Sequence, residues 1–200
     1  MSGDYSRKRF NPEKHYQGVL RQQGRVDLDA DWNEYVDLQD RRWRAETIDV
    51  VGRSGVPDET PDGFKIAVSG GELTVGQGRM YVDGYVAENH GTAPAFEPTL
   101  EEGYGTAALP VKNQPYGGPV TVPAQVRSLV YLDVWRREVT HLQAPDLIEP
   151  AVNVDSTTRY QTAWQVRVLA NIPPDITCDT PLSDIPGWPT GNRTSSARLT

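Results

Sequence analysis

Asp27, Asp29 and Asp31 are the first residues whose types and spacing suggest chemistry. A D-x-D-x-D run opens calcium loops, because alternating carboxylates can wrap a hard cation in oxygen. Such a loop also needs glycine at its sixth position and an acid at its twelfth. Those positions hold Trp32 and Leu38, so the run reads instead as helix capping, with acids at the positive end of the dipole. His15, His90 and His141 show neither H-x-x-H nor H-E-x-x-H spacing, and each reads as a surface or loop histidine rather than a metal ligand. Gly76-Gln77-Gly78 meets Tyr81 where a dinucleotide fingerprint places its third glycine, and it opens a strand rather than a helix. No P-loop and no G-x-S-x-G nucleophile elbow occurs in the sequence.

Other reactive types are present without the company they need. Cys178 is the single cysteine and sits among prolines, with no neighbour that would lower its pKa. Asp133 and Glu138 form a conceivable glycosidase pair, but scattered carboxylates are normally surface charge. Trp135 and Trp164 could stack on sugar, yet both sit inside strand patterns and are expected in a core. Asn192-Arg193-Thr194 matches a glycosylation acceptor, which reads as accidental without a secretion signal. No catalytic residue, metal or cofactor is predicted.

The elements that would carry these residues are better defined. Residues 1–12 read as an extended arm ending at Asn11-Pro12. A short helix is expected over residues 13–23, with Tyr16, Val19, Leu20 and Gln23 on one face and Gly24 as its stop. A second and stronger helix is expected from Asp29 to Val51, stopped by Gly52. Leu28, Trp32, Tyr35/Val36, Trp43 and Val50 form its stripe, facing either the chain's own sheet or another subunit. Asp31 with Glu34 resembles a capping box, and Arg41, Arg42 and Arg44 lie toward the far end, an order that suits the dipole.

After Gly55 the period switches to alternation. Residues 64–89 read as a β-meander, with Asp83-Gly84 as a two-residue hairpin turn. Residues 91–125, rich in Pro and Gly, read as a long loop with room for an edge strand. Ser128–Arg136 and Ala163–Ala170 read as strong strands, with Glu138–Leu142 as a hairpin partner and residues 145–158 as a connection. From Ile172 onward, five prolines and a Ser/Thr ending read as a linker toward a further module. The expected division is a docking region at 1–55, a β-rich domain at 56–170 and a tail at 171–200. The fold class is α+β: two N-terminal helices, then an antiparallel β-sandwich or partly open barrel, then an extended Pro-rich tail.

Composition sets the outer bounds. With 200 residues, 37% hydrophobic, five Trp and nine Tyr, the chain can build a core without metals or disulfides. A formal net charge of −7 argues against nucleic acid as a partner. The one basic cluster, Arg7-Lys8-Arg9, reads as a solvated arm, or as a docking arm for an acidic partner. No apolar run serves as a secretion signal or spans a membrane. Synthesis and assembly in a reducing cytoplasm is the resulting expectation, with release by cell lysis open to it.

The stretch from Lys14 to Glu34, with its core Gln22-Gln23-Gly24-Arg25-Val26-Asp27-Leu28-Asp29-Ala30-Asp31-Trp32-Asn33-Glu34, resembles the opening of a family encoded near bacterial contractile injection systems. Three later stretches also resemble that family: Gly78-Arg79-Met80-Tyr81-Val82-Asp83-Gly84, Leu129–Trp135 and Thr162–Leu169. Many members continue into a parallel β-helix, and the opening is similar to regions that attach fibres or spikes to phage baseplates. The resemblance implies a non-enzymatic structural part of a phage-tail-like particle, homo-oligomeric in the assembly and contacting baseplate or tail subunits. Arg7, Arg9, Tyr16, Trp32, Tyr35 and Trp43 are the expected partner-binding residues. A carbohydrate- or envelope-binding module and a glycan hydrolase are the alternatives.

Overall fold

The structure is a computed structural model that describes residues 3–69, 72–92, 107–120, 123, 126–177, 179–189 and 195–198. Among the described residues there are one α-helix, α1 (Asp29–Val51), and eleven strands. These are β1 (Ser54–Gly55), β2 (Ile66–Ser69), β3 (Glu72–Val75), β4 (Gly78–Val82), β5 (Tyr85–Asn89), β6 (Leu109–Pro110), β7 (Ser128–Val139), β8 (Ile148–Glu149), β9 (Val154–Asp155), β10 (Arg159–Ala170) and β11 (Ser195–Arg198). They form three-stranded sheets ordered β1-β4-β5, β2-β3-β6 and β10-β7-β11, plus a β8-β9 ribbon. The β-rich expectation holds in this coarse form, and no described sheet closes into a barrel.

The chain divides into two compact units. The first is Met1–Val50 with Arg137–Gln161, and the second is Val51–Arg136 with Thr162–Thr200.

The first unit is built on α1. Twenty-three residues free of Gly and Pro, with three Arg, two Ala and two Glu among them, form a helix about 35 Å long. Arg42 and Glu46 add an i,i+4 ion pair at 2.9 Å. Gly52, with φ of 92°, takes the left-handed conformation that ends it. The arginines do not reach the last turn, which carries no basic residue, so their expected support from the dipole falls away.

The helix expected over 13–23 does not form. Pro12–Lys14 makes one 3-10 turn, capped by the Asn11 side chain, and His15 turns left-handed at φ 55°. Beyond it the chain is irregular and nearly all exposed. A helix of eleven residues with Gly18 at its centre is marginal unless its apolar face is buried, and here Leu20 stays 93% exposed.

The second unit holds the core. Phe64, Val75, Met80, Val82, Val111, Leu132, Trp164 and Val166 belong to one buried cluster. The hairpin at Asp83-Gly84 is as expected: Val82 pairs with Tyr85, and both turn residues have positive φ, 47° and 78°. The meander is split between two sheets, β2-β3 and β4-β5, at Gly76-Gln77-Gly78. A Cβ on Gly76 would lie 2.2 Å from the Asp62 carbonyl oxygen, and Gly78 has φ of 131°, so these glycines serve a crowded corner. Part of the expected tail packs instead of trailing. Ile172, Ile176 and Ile185 form a second buried cluster with Leu129 and Trp188, and residues 195–198 pair with β7. Proline breaks regular structure without stopping Ile and Trp from burying. Residues 93–106, Cys178 and Asn192-Arg193-Thr194 lie outside the described residues.

Candidate assembly face

The site is best approached through the arm. Asp29 and Asp31 lie in the first turn of α1, as the dipole favours, and Asp27, Asp29 and Asp31 each also hold a different arm residue. Asp27 pairs with Arg21 at 3.3 Å. Asp29 accepts from the Ser6 amide at 2.8 Å and its hydroxyl at 2.6 Å, and these donors hold its carboxyl below the usual aspartate range. Asp31 pairs with Arg9. Three acids at and just before the start of α1 thus hold Ser6, Arg9 and Arg21 of the irregular arm. Further along the arm, the Gln39 amide donates to the Gln17 carbonyl at 3.4 Å.

The arm's first residues are fixed at Glu138, on the far end of β7. Glu138 Oε1 accepts from the Gly3 amide and from the Tyr5 hydroxyl, the latter at 2.7 Å. The Tyr5 oxygen also lies 2.5 Å from Thr158 Oγ1. The Gly3 amide first, then the Tyr5 hydroxyl, hold the Glu138 carboxyl below the usual range, while burial pushes the Tyr5 phenol up. A side chain on Gly3 would sit 2.7 Å from the Tyr5 hydroxyl, so the clamp is fitted around a glycine. In the sequence Glu138 looks like scattered surface charge, because pairing across 133 positions leaves no local signal.

Between the arm and α1 lies a groove of about 620 Å³, with Leu20, Val26, Leu28, Trp32 and Tyr35 among its lining. The Trp32 and Tyr35 rings are 6.0 Å apart between centroids, tilted by 44°. The stripe on α1 that sequence identified faces solvent: Trp32 is 60% exposed, Trp43 65% and Val50 85%. The opposite face of the helix supplies its buried residues, Ala30 and Leu38.

Of the expected partner-binding residues, Trp32 and Tyr35 share the groove, while Tyr16 and Trp43 lie outside its lining. Lys14 Nζ sits 5.7 Å from the Tyr16 ring centre. Arg9 is engaged by Asp31. Arg7 lines a separate cleft of about 250 Å³ with Tyr5, Asp37 and Tyr160. Leu20, Val26 and Val50 were not among the expected site residues. Leu20 falls on the face of the helix expected over 13–23 and Val50 in the stripe on α1, whereas Val26 belongs to neither.

The contrast between the units defines the site. Among the described residues, nineteen hydrophobic residues are buried, and only Ala30, Leu38 and Val139 of them belong to the first unit. Of fifteen large hydrophobics left exposed, twelve belong to it. Five of these twelve, Leu20, Val26, Leu28, Trp32 and Tyr35, line the one groove, and an apolar patch of that kind commonly marks an interaction site.

The potential chemistry is sparse. Asp133 in the second unit lies 3.8 Å from Arg167, and Glu138 in the first binds the arm. Trp164 is core, 3% exposed, and Trp135 packs edge-on against Tyr116 at 6.1 Å. His141 meets Asp155 at 2.8 Å. Among the described residues no three His, Cys, Asp or Glu side chains converge as a metal site requires, and no helix is long and apolar enough to cross a membrane.

Among the described residues the chain is mostly β with one α-helix, its larger buried core in the second unit and most of its exposed large hydrophobics in the first. The profile of a family of unknown function (DUF6519) matches residues 1–183, and the chain belongs to that family. No curated protein and no solved structure matches it.

Proposed function

We propose that this chain is a structural component of a phage-tail-like contractile injection system, anchoring a fibre, spike or appendage to the baseplate. The observation that carries this reading is the bare apolar face of the first unit, centred on Trp32, Tyr35, Trp43 and Val50. Exposed aromatics on a rigid helix are the side chains that dominate protein–protein interfaces. The sequence resemblance of Lys14–Glu34 to fibre-attachment regions supports the same assignment, since that stretch forms one wall of the groove and the first turn of α1. The second unit, with its buried core, serves as the rigid body, and the role requires no catalytic residue. Synthesis and assembly take place in the cytoplasm.

Isolation of intact particles from producing cells, with mass spectrometry for composition and electron cryomicroscopy for position, tests this. The chain is expected in fixed stoichiometry at a defined location. Its absence from well-assembled particles overturns the reading.

A carbohydrate-binding module is the second reading. The Trp32–Tyr35 pair beside a groove containing Arg21 and Asp31 has the aromatic and polar composition sugar sites use. It predicts saturable binding of cell-wall glycans that Trp32→Ala removes.

A further inference from the structure

The groove is closed by an arm that returns to the start of α1. Residues 10–27 form a loop whose neck lies there: Ser6 is bound to Asp29 across 23 positions, and Arg9 to Asp31 across 22. The loop supplies one wall of the groove, with Val19, Leu20 and Val26, and α1 supplies the other, with Trp32 and Tyr35.

Among the described residues, little besides the neck holds that wall. No residue from 10 to 28 is buried. The backbone hydrogen bonds of residues 10–27, such as Lys14 to Asn11 and Arg25 to Gln22, stay within the segment, and Arg21 pairs with Asp27 inside it. One bond reaches the helix, from the Gln39 amide to the Gln17 carbonyl, and at 3.4 Å it is long. A loop of this length without a core of its own is ordered by whatever fixes its ends.

Three carboxylates fix the end that precedes the loop. Glu138 holds Gly3 and Tyr5, with Thr158 as a second contact to the Tyr5 hydroxyl and Lys8 adding its charge. Asp29 takes both the amide and the hydroxyl of Ser6. Asp31 takes Arg9, in a pair whose side chains are only 34% and 37% exposed. Hydrogen bonds to ionised acceptors are the strong ones, and here they act in series on a short stretch of chain. We propose that Glu138, Asp29 and Asp31 form a latch. While Tyr5, Ser6 and Arg9 are engaged, residues 10–27 stand as the groove wall; when these three are released, the loop swings free and the face keeps only its helical stripe. None of the three lines the groove, so they are positioning residues. The inference deepens the reading of the first unit as an assembly face, since it says what forms and removes the groove on that face.

Nitroxide labels on Gln23→Cys and Ala45→Cys, in a Cys178→Ser background of the full-length chain, report the loop against the helix by double electron–electron resonance. The chain with its latch intact is expected to give one narrow distance distribution. Tyr5→Phe/Ser6→Ala/Arg9→Ala alters only arm positions that are not buried, and it is expected to replace that peak with a broad distribution while near-ultraviolet circular dichroism stays unchanged. Tyr5→Phe/Ser6→Ala/Arg9→Lys restores a charge opposite Asp31 and is expected to narrow it again. A distribution already broad in the intact chain, or one that stays narrow in the triple alanine-and-phenylalanine variant, overturns the latch. If the loop stays narrow there while Trp32→Ala/Trp43→Ala is lost from particles, the latch falls and the anchoring role stands. If the loop opens while that tryptophan variant enters particles normally, the latch stands and the anchoring role falls.

Discussion

Glu138 accepts the hydroxyl of Tyr5 at 2.7 Å across 133 positions of the chain, and this one carboxylate also receives the Gly3 amide. Asp29 grips Ser6 in the same manner. The first residues of the arm are therefore held by two carboxylates whose pKa values both lie below their ordinary range. A depressed carboxylate contributes stability that is in place above its unfolded pKa and is lost as pH falls through the lower folded value. The arm should be fixed at neutral pH and released on acidification below the usual carboxylate range. Hydrogen exchange of residues 3–9 across that window checks this, with Glu138→Gln expected to loosen the arm at neutral pH.

Gln114 substitutes for a strand. Its side-chain oxygen accepts the Val166 amide at 2.8 Å, and its nitrogen donates to the carbonyls of Val166 at 3.3 Å and Gly118 at 2.8 Å. The edge of β10 is thereby satisfied at a buried position. Gln114→Ala should cost about 1–3 kcal/mol, because the Val166 groups lose their partner without gaining water. A fall in the urea midpoint, together with faster aggregation from the opened edge, is the expected result.

Trp164 packs edge-on against Phe64, with ring centres 5.0 Å apart at 84°, and its indole N–H donates to the Glu88 carbonyl at 2.6 Å. Trp164→Ala should destabilise by about 3–5 kcal/mol through the cavity it leaves. Trp164→Phe keeps an aromatic ring but loses the pyrrole part of the indole and the bond to that carbonyl, and should cost about 1–3 kcal/mol, less than the alanine change. Urea unfolding of the two variants checks both values.

Gly84 holds φ of 78° in the β4–β5 turn. Gly84→Val forces a β-branched residue into that region and should cost about 1–2 kcal/mol or more. Gly18→Ala, in exposed chain with nothing within 4 Å of an added Cβ, should leave the urea midpoint unchanged.

Where local rules agree with the fold, the sequence was readable. The bounds of α1, the Asp83-Gly84 turn and the two long strands β7 and β10 follow from periodicity and turn chemistry. The stripe on α1 was legible as a stripe, but its direction was not, since the same spacing serves a buried face and an interface. Residues 13–23 misled because helical spacing at Tyr16, Val19 and Leu20 has no surface within the chain to bury against. Asp29 and Asp31 are legible as first-turn acids, but only the returning arm shows that they and Asp27 also hold it. The buried cluster of Ile172, Ile176 and Ile185 was hidden by prolines that mark irregular backbone, not exposure.

The central claim is that the face built on α1 is where this chain joins an assembly. The most direct measurement is the incorporation of Trp32→Ala/Trp43→Ala into particles purified from producing cells, quantified by mass spectrometry against the unaltered chain. The second unit's core contains neither residue, so the variant should fold and accumulate while being lost from particles at least tenfold. Incorporation of a folded variant at the normal level would contradict the account.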